Sequence, residues 1–411
     1  MLYHFYEMTH AAIAPMRQAA LWSQTVSQSN QNPFRDSYFS RYQSAQLDMF
    51  VNATKRYAKP EFNIPFVTID GKDVTITEER IMALPFGELL HFKRDTDRKD
   101  PPVLIIAPMS GHYATLLRGT VNKMLEDHDV YITDWVDARE VPLSQGGFDL
   151  DDYTDYVVSF LEKLHEIHGE RAHVLAVCQP GVPALVAASL MAKDKHKARP
   201  ASMTLMGSPI DVSINPKGPN ELATSRPLSW FENNVVLTVP LPNKGMMRRV
   251  YPGFLQLQGF MSMNLDRHMN AHVKHFRHMV KGDGDSAAEH RKFYDEYMAV
   301  MDLSADFYIQ TIDRVFQRKL LAVGEYQYRG THIDPSTIED IALFTIEGER
   351  DDITGIGQTE AAHKLASKLP EAKRKHLLQE KVGHYGIFNG SRWRELIYPQ
   401  VTAFIAEHRE S

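Results

Sequence analysis

Between Val174 and Ala192 nearly every residue is apolar, yet Gln179, Pro180, Gly181 and Pro183 stand in the middle of the run. A membrane-spanning helix needs about 20 unbroken apolar residues, and this centre would break one. Proline is well tolerated, however, in the first turn of a helix that begins there. The run therefore predicts a buried strand, a tight turn and a buried helix, with Cys178 at the turn. Cys178 is the only cysteine among 411 residues. A thiol at such a junction meets the positive end of the helix dipole and the free N–H groups of the first turn, so its pKa is expected below the free value of about 8.5. The competing reading is a buried cysteine acting as a small apolar filler.

The flanking chain alternates between strand and helix patterns. Strands are expected at 103–108, 130–135 and 203–209, and helices at 113–126 and 151–168. With the central unit these predict an α/β fold, a mostly parallel sheet covered by helices on both faces. Upstream, 65–71 and 84–92 read as short strands around a turn. Residues 1–60 read as an N-terminal helical extension whose aromatic stripe (Tyr38, Tyr42, Phe50, Tyr57) is expected to pack against the main domain. After Asp211 the alternation stops, and 212–332, rich in methionine, aromatic residues and charge, reads as an inserted, mainly helical lid. A strand at 342–348, a helix at 358–369, a short strand at 376–378 and a helix at 393–408 then resume the pattern. The expected organisation is an extension (1–60), an α/β-hydrolase core (61–211 and 333–411) and a lid (212–332).

A net charge of -6 without a sustained basic stripe argues against nucleic acid and against attraction to anionic membranes. The first residues lack the basic start and apolar run of a signal peptide, and one cysteine makes no internal disulfide, so the expected location is cytoplasmic.

A thiolate nucleophile needs a base to shuttle protons and an acid to hold that base in one tautomer. In this fold they follow in the order nucleophile, acid, base. Asp351, in Gly348-Glu349-Arg350-Asp351-Asp352, follows the late strand and is the favoured acid, ahead of Asp352 and of Asp211. His384, between Gly383 and Gly386, is the expected base. The backbone N–H groups of Gln179 and Met109 are the expected oxyanion hole. His112, in the loop with Met109, is read either as a substrate contact or as structural. His268, His272, His275 and His278 fall near one helix face; without a cysteine, and with only Asp266 nearby, they read as a solvated, weakly basic helix. No metal or resident cofactor is expected.

Together these segments resemble the intracellular poly(3-hydroxybutyrate) depolymerases. The likeness is carried by Val177-Cys178-Gln179-Pro180-Gly181, by Glu347 to Ile353, by Gly383-His384-Tyr385-Gly386-Ile387-Phe388 and by Asp302 to Tyr308. It implies a Cys178, Asp351 and His384 triad, a polyester granule surface as partner, and an acyl-cysteine resolved by water or by coenzyme A. Oligomeric state is left open, a homodimer being compatible. Polyester synthases share this fold and triad, but their elbow usually reads G-x-C-x-G, which Ala176 and Pro180 break. A non-catalytic granule-binding protein and a small-molecule esterase or thioesterase also compete with the depolymerase reading.

Overall fold

The computed structural model describes residues 2–263 and 265–409. Two helices, α1 (Leu2–Ser27) and α2 (Tyr38–Thr54), pack on each other at the start, and the Ser37 side chain caps α2 by accepting from the Ser40 N–H. An antiparallel set follows: β1 (Phe66–Ile69), β2 (Lys72–Leu84) and β3 (Gly87–Arg94). Then come β4 (Pro102–Ile106), α3 (Arg118–Met124), β5 (Asp129–Trp135), α4 (Leu150–His168), β6 (His173–Val177), α5 (Gly181–Lys193) and β7 (Ser202–Met206).

After β7 the chain leaves the sheet for α6 (Gly218–Ser225), α7 (Leu228–Asn234), α8 (Gly253–Met263), α9 (Leu265–Lys281), α10 (Gly284–Tyr297) and α11 (Ala305–Gln310). It returns as β8 (Ala342–Gly348), α12 (Ala361–Leu365), β9 (Arg374–Gln379) and α13 (Tyr398–Glu407). The expected helix at 358–369 shrinks to the five residues of α12. The closing helix at 393–408 begins as a π-helical stretch, Trp393–Ile397, before α13.

The main sheet has nine strands in the order β1-β2-β3-β5-β4-β6-β7-β8-β9. From β5 through β9 neighbouring strands run parallel, while β3 pairs antiparallel with β5. With helices on both sides this is the α/β-hydrolase arrangement. Every residue of β4, β6, β7 and β8 is buried, which is why these segments read as unbroken apolar runs rather than alternating ones. The same reason removes the periodicity of α5, where all but Leu190 and Lys193 are buried. Among the described residues no helix is long and apolar enough to cross a membrane.

Helix α4 starts with a capping box between Asp149 and Asp152 and stops at Gly169 in the left-handed conformation. Its first turn also holds the insertion: Asp151 takes Arg314 at 2.8 Å, and the Asp149 carboxylate accepts from the Gln310 amide at 3.1 Å. A second tie is deeper. Asp302 accepts from the Tyr3 hydroxyl at 2.6 Å and the Gly253 N–H at 2.9 Å, while its own N–H donates to Asp137 at 3.1 Å. Asp137 is paired with Arg139 at 3.0 Å. Burial first, then the neighbouring Asp137 charge, pushes the Asp302 carboxyl well up from the ordinary range.

The aromatic stripe of α2 is corrected by the structure. Tyr38 and Tyr42 are exposed, stack on each other, and meet the insertion through Phe276 rather than the main sheet. The histidines of α9 are corrected too: His268 and His275 are buried, bonded to Tyr294 at 2.9 Å and to Asp48 at 3.0 Å. The amphipathic pattern of α9 has two partners, α10 and α2, so its histidine side is an interior seam and not a solvated face.

Gly181 opens α5 against β7, where a Cβ would sit 2.3 Å from the Cβ and Oγ of Ser208. Gly181→Ala is therefore expected to destabilise by about 1–3 kcal/mol, read from chemical denaturation. Gly259→Ala, in open space on α8, should be neutral or stabilising by up to about 1 kcal/mol.

Candidate active site

Cys178 sits one residue beyond β6 with φ +67°, a left-handed conformation uncommon outside glycine. Its N–H donates to the Met206 carbonyl at 2.7 Å, so the neighbouring strand fixes the turn. The side chain is partly exposed, which excludes the buried-filler reading. Gly181 then lets α5 start hard against Ser208, so the strand-to-helix turn closes within three residues.

His384 reaches this turn from the loop after β9. The ring is buried, with Nδ1 at 2.7 Å from Asp351 Oδ2 and with the Cys178 sulfur within hydrogen-bonding reach of the ring. Gly207, at φ +57°, backs the ring; a Cβ there would meet Ile387 at 2.8 Å and His384 at 3.1 Å. Burial alone would drive the imidazole towards its neutral form. The negative charges of Cys178 and Asp351, with the hydrogen bonds to both, outweigh it and hold His384 protonated well above the usual range.

Asp351 is positioned by its own loop: Oδ1 accepts from the N–H groups of Ile353 and Thr354, each at 2.8 Å, which leaves Oδ2 for the imidazole. Thr354 in turn donates to the Gly207 carbonyl at 2.9 Å. Asp352 is exposed. The third candidate acid, Asp211, is spent on the Ser213 N–H and hydroxyl at 3.0 and 2.5 Å, so the earlier strand does not supply the histidine's partner.

Two supports escape a reading of the sequence alone. Glu347 is a buried carboxylate in an otherwise apolar strand, and it accepts from the N–H groups of Gly357, Thr359 and Glu360 at 2.7–3.1 Å, folding the loop that carries Asp351. A lone acid ending a buried strand was the available signal. Glu347, Glu360 and His376 also form the one grouping of three ligand-type side chains close enough for a metal among the described residues. The Glu347 oxygens there already serve backbone donors. Gly207 carries no sequence signal beyond its place after β7.

The loop after β4 brings Met109 to the same turn, where its N–H donates to Gln179 Oε1 at 3.3 Å. No described residue accepts the Gln179 N–H. His112 is structural: it is buried, pushed down to about 4 by desolvation against its bond to the Tyr297 carbonyl, and it packs on Phe260 and Tyr297. Gly111 is confined by Gln256, whose Oε1 would lie 2.7 Å from a Cβ.

Residues 207–409 match the family model described as PHB de-polymerase C-terminus, a stretch that contains Asp351 and His384. A poly(3-hydroxyalkanoate) polymerase subunit PhaC of Haloarcula marismortui is 21% identical over 349 residues, covering 78% of this chain and 65% of that protein. The corresponding subunit of Haloferax mediterranei is 24% identical over 335 residues, covering 79% and 62%. The chain thus spans under two thirds of the length of either relative. Among solved structures, a soluble variant of monoglyceride lipase from Saccharomyces cerevisiae is similar at TM-score 0.49 and 14% identity, covering 84% of this chain and 98% of the lipase. A 2-hydroxy-6-oxo-6-phenylhexa-2,4-dienoate hydrolase from Rhodococcus follows at 0.44 and 15%, covering 81% and 99%. The family model and the two curated relatives support a place among the α/β-hydrolases of polyhydroxyalkanoate metabolism, without separating depolymerase from polymerase.

The stability held by a protonated His384 is fully present below the ordinary imidazole pKa of about 6.5 and is lost as pH rises through the higher folded value. Nitrogen-15 NMR at about pH 7.5, one unit above that ordinary value, should find both ring nitrogens of His384 protonated. Asp351→Asn and Cys178→Ser should each lower its titration point; a ring already neutral at this pH overturns the charge assignment.

Proposed function

We propose that the chain is a cysteine-dependent acyl-transfer enzyme that cleaves ester bonds of poly(3-hydroxybutyrate) or a related polyhydroxyalkanoate, with Cys178 as nucleophile, His384 as base and Asp351 as its orienting acid. The observation that carries this reading is the partly exposed thiol on a left-handed residue, facing a buried imidazole whose other nitrogen is held by a carboxylate. The description of the matched family model supplies the polyester.

The Cys178 thiolate attacks the ester carbonyl carbon, and the N–H groups of Gln179 and Met109 receive the developing oxyanion. The Gln179 carboxamide oxygen that now accepts the Met109 N–H occupies the place of that oxygen and must swing away. Collapse of the tetrahedral adduct breaks the ester C–O bond, and the imidazolium gives its proton to the departing alkoxide. Neutral His384 then takes a proton from water, or from the thiol of coenzyme A, as that acceptor attacks the acyl-cysteine and returns the thiolate. Two electrons move as a pair in each step, so no redox cofactor is required.

The substrate class also agrees with the outer face of the helical pair. Phe5, Trp22 and Phe39 are 67%, 71% and 74% exposed, with Met8, Met16 and Phe34 beside them in exposure. On a chain of net charge -6, such a face suits a neutral apolar polyester surface better than an anionic bilayer.

A second reading, polyester synthesis, is favoured by the names of the two curated relatives. It uses the same thiolate, with a hydroxyl-ended chain in place of water as acceptor. Ala176 and Pro180, where a synthase elbow usually has glycines, weigh towards cleavage.

Amorphous polyester granules incubated with the protein, with and without coenzyme A, should release hydroxy acids, oligomers or acyl-coenzyme A. Polymer gained from a hydroxyacyl-coenzyme A overturns cleavage in favour of synthesis. Cys178→Ala should lose activity by about 10⁴-fold or more, and an undiminished rate removes the nucleophile assignment. Trp22→Ser combined with Phe39→Ser should weaken granule binding several-fold and leave hydrolysis of a soluble short-chain ester unchanged.

A further inference from the structure

Helix α2, from the N-terminal pair, packs against α9, which packs against α10. The three enclose a cavity of about 500 Å³, within the size range of small-molecule sites. Met49, Val273, Phe276 and Met298 give it apolar walls, and His275 and His290 line it as well. The two imidazoles stack face to face, 4.0 Å apart and 8° from parallel. Their in-plane lone pairs therefore do not converge on one point, which argues against a shared metal ion.

His275 is buried, and its Nε2 stands 3.0 Å from Asp48 Oδ2. A carboxylate at that distance requires the proton on Nε2, so Nδ1 of the neutral ring is a bare acceptor. That Nδ1 and the Nε2 of His290 are both enclosed without a hydrogen-bond partner. Two unpartnered nitrogens inside one apolar cavity call for a single small group able to donate to one and to satisfy the other. A hydroxyl does both, whereas a carboxylate alone accepts only. Arg277 lines the same cavity and offers a partner for an acid group on the same molecule.

We propose that this cavity binds one aliphatic hydroxy acid, its chain against the methionine and phenylalanine walls and its hydroxyl between His275 and His290. The choice of a hydroxy acid rests on the polyester reading above, since it is the unit that ester cleavage would release; the apolar cavity with its paired nitrogens stands independently of it. The site is separate from Cys178 and is built jointly by the N-terminal helices and the insertion.

Titration calorimetry on the full chain with 3-hydroxyoctanoate tests it, with octanoate as the comparison lacking the hydroxyl. Ala53 is exposed and lines the cavity, so Ala53→Trp fills the space from its mouth without burying a polar group. Binding should be lost in Ala53→Trp, should weaken about five- to tenfold in His290→Phe, and should be weaker for octanoate than for the hydroxy acid by a similar factor. Equal affinity in Ala53→Trp, equal affinity for octanoate, or no binding of the hydroxy acid each overturns the proposal. Polyester cleavage by Ala53→Trp is expected to match the parent, so a failure of this site and a failure of the cleavage reading are read in separate assays.

Discussion

One backbone hydrogen bond, from the Cys178 N–H to the Met206 carbonyl at 2.7 Å, fixes the level at which everything else has to meet. A non-glycine residue in the left-handed region costs roughly 1–2 kcal/mol and persists only where its surroundings over-determine it. Here β6 is flanked on both sides by paired strands, and α5 is pressed onto Ser208 through the bare Cα of Gly181. The parallel register then carries that level across the sheet. Met206 lies opposite Ile346, and Gly348 lies opposite Gln379, so the loops after β8 and β9 leave the sheet near the same edge. Asp351 and His384 arrive at Cys178 for this reason and not because they attract it.

The insertion depends on a different constraint. Asp137 and Asp302 are neighbouring buried carboxylates sharing the influence of one guanidinium, with Tyr3 supplying a neutral donor. Removing one member of such a group leaves an uncompensated buried charge, so the loop after β5, the segment that ends the insertion and the first turn of α1 are specified together. Helix α1 is therefore part of the same packed unit as the insertion: Tyr3 and Tyr6 both pack on Phe254 of α8.

Much of the sheet was legible because parallel strands buried on both faces leave short apolar runs ended by glycine or proline, as at 103–108 and 342–348. The meeting of Cys178, Asp351 and His384 followed from chain order, since each stands just past a strand in a fold whose loops gather at one edge. The helical periphery was not legible in the same way. Tyr38 and Tyr42 gave a periodic stripe but no information about which surface it faces, and the α9 histidines looked solvated because their partners, Asp48 and Tyr294, lie on helices distant in sequence. Glu347 and Gly207 act by bonding to, or making room for, a neighbouring loop, and a local pattern does not contain that loop.

The solitude of the thiol has a further chemical consequence. Cys178 is partly exposed, close to an imidazole held in its charged form, and without a second cysteine anywhere in the chain. A thiol oxidised to the sulfenic acid is ordinarily rescued by condensing with a resolving thiol before further oxygen is added. No such thiol exists within this molecule, so the protection of its most reactive atom against oxidants falls to external reductants.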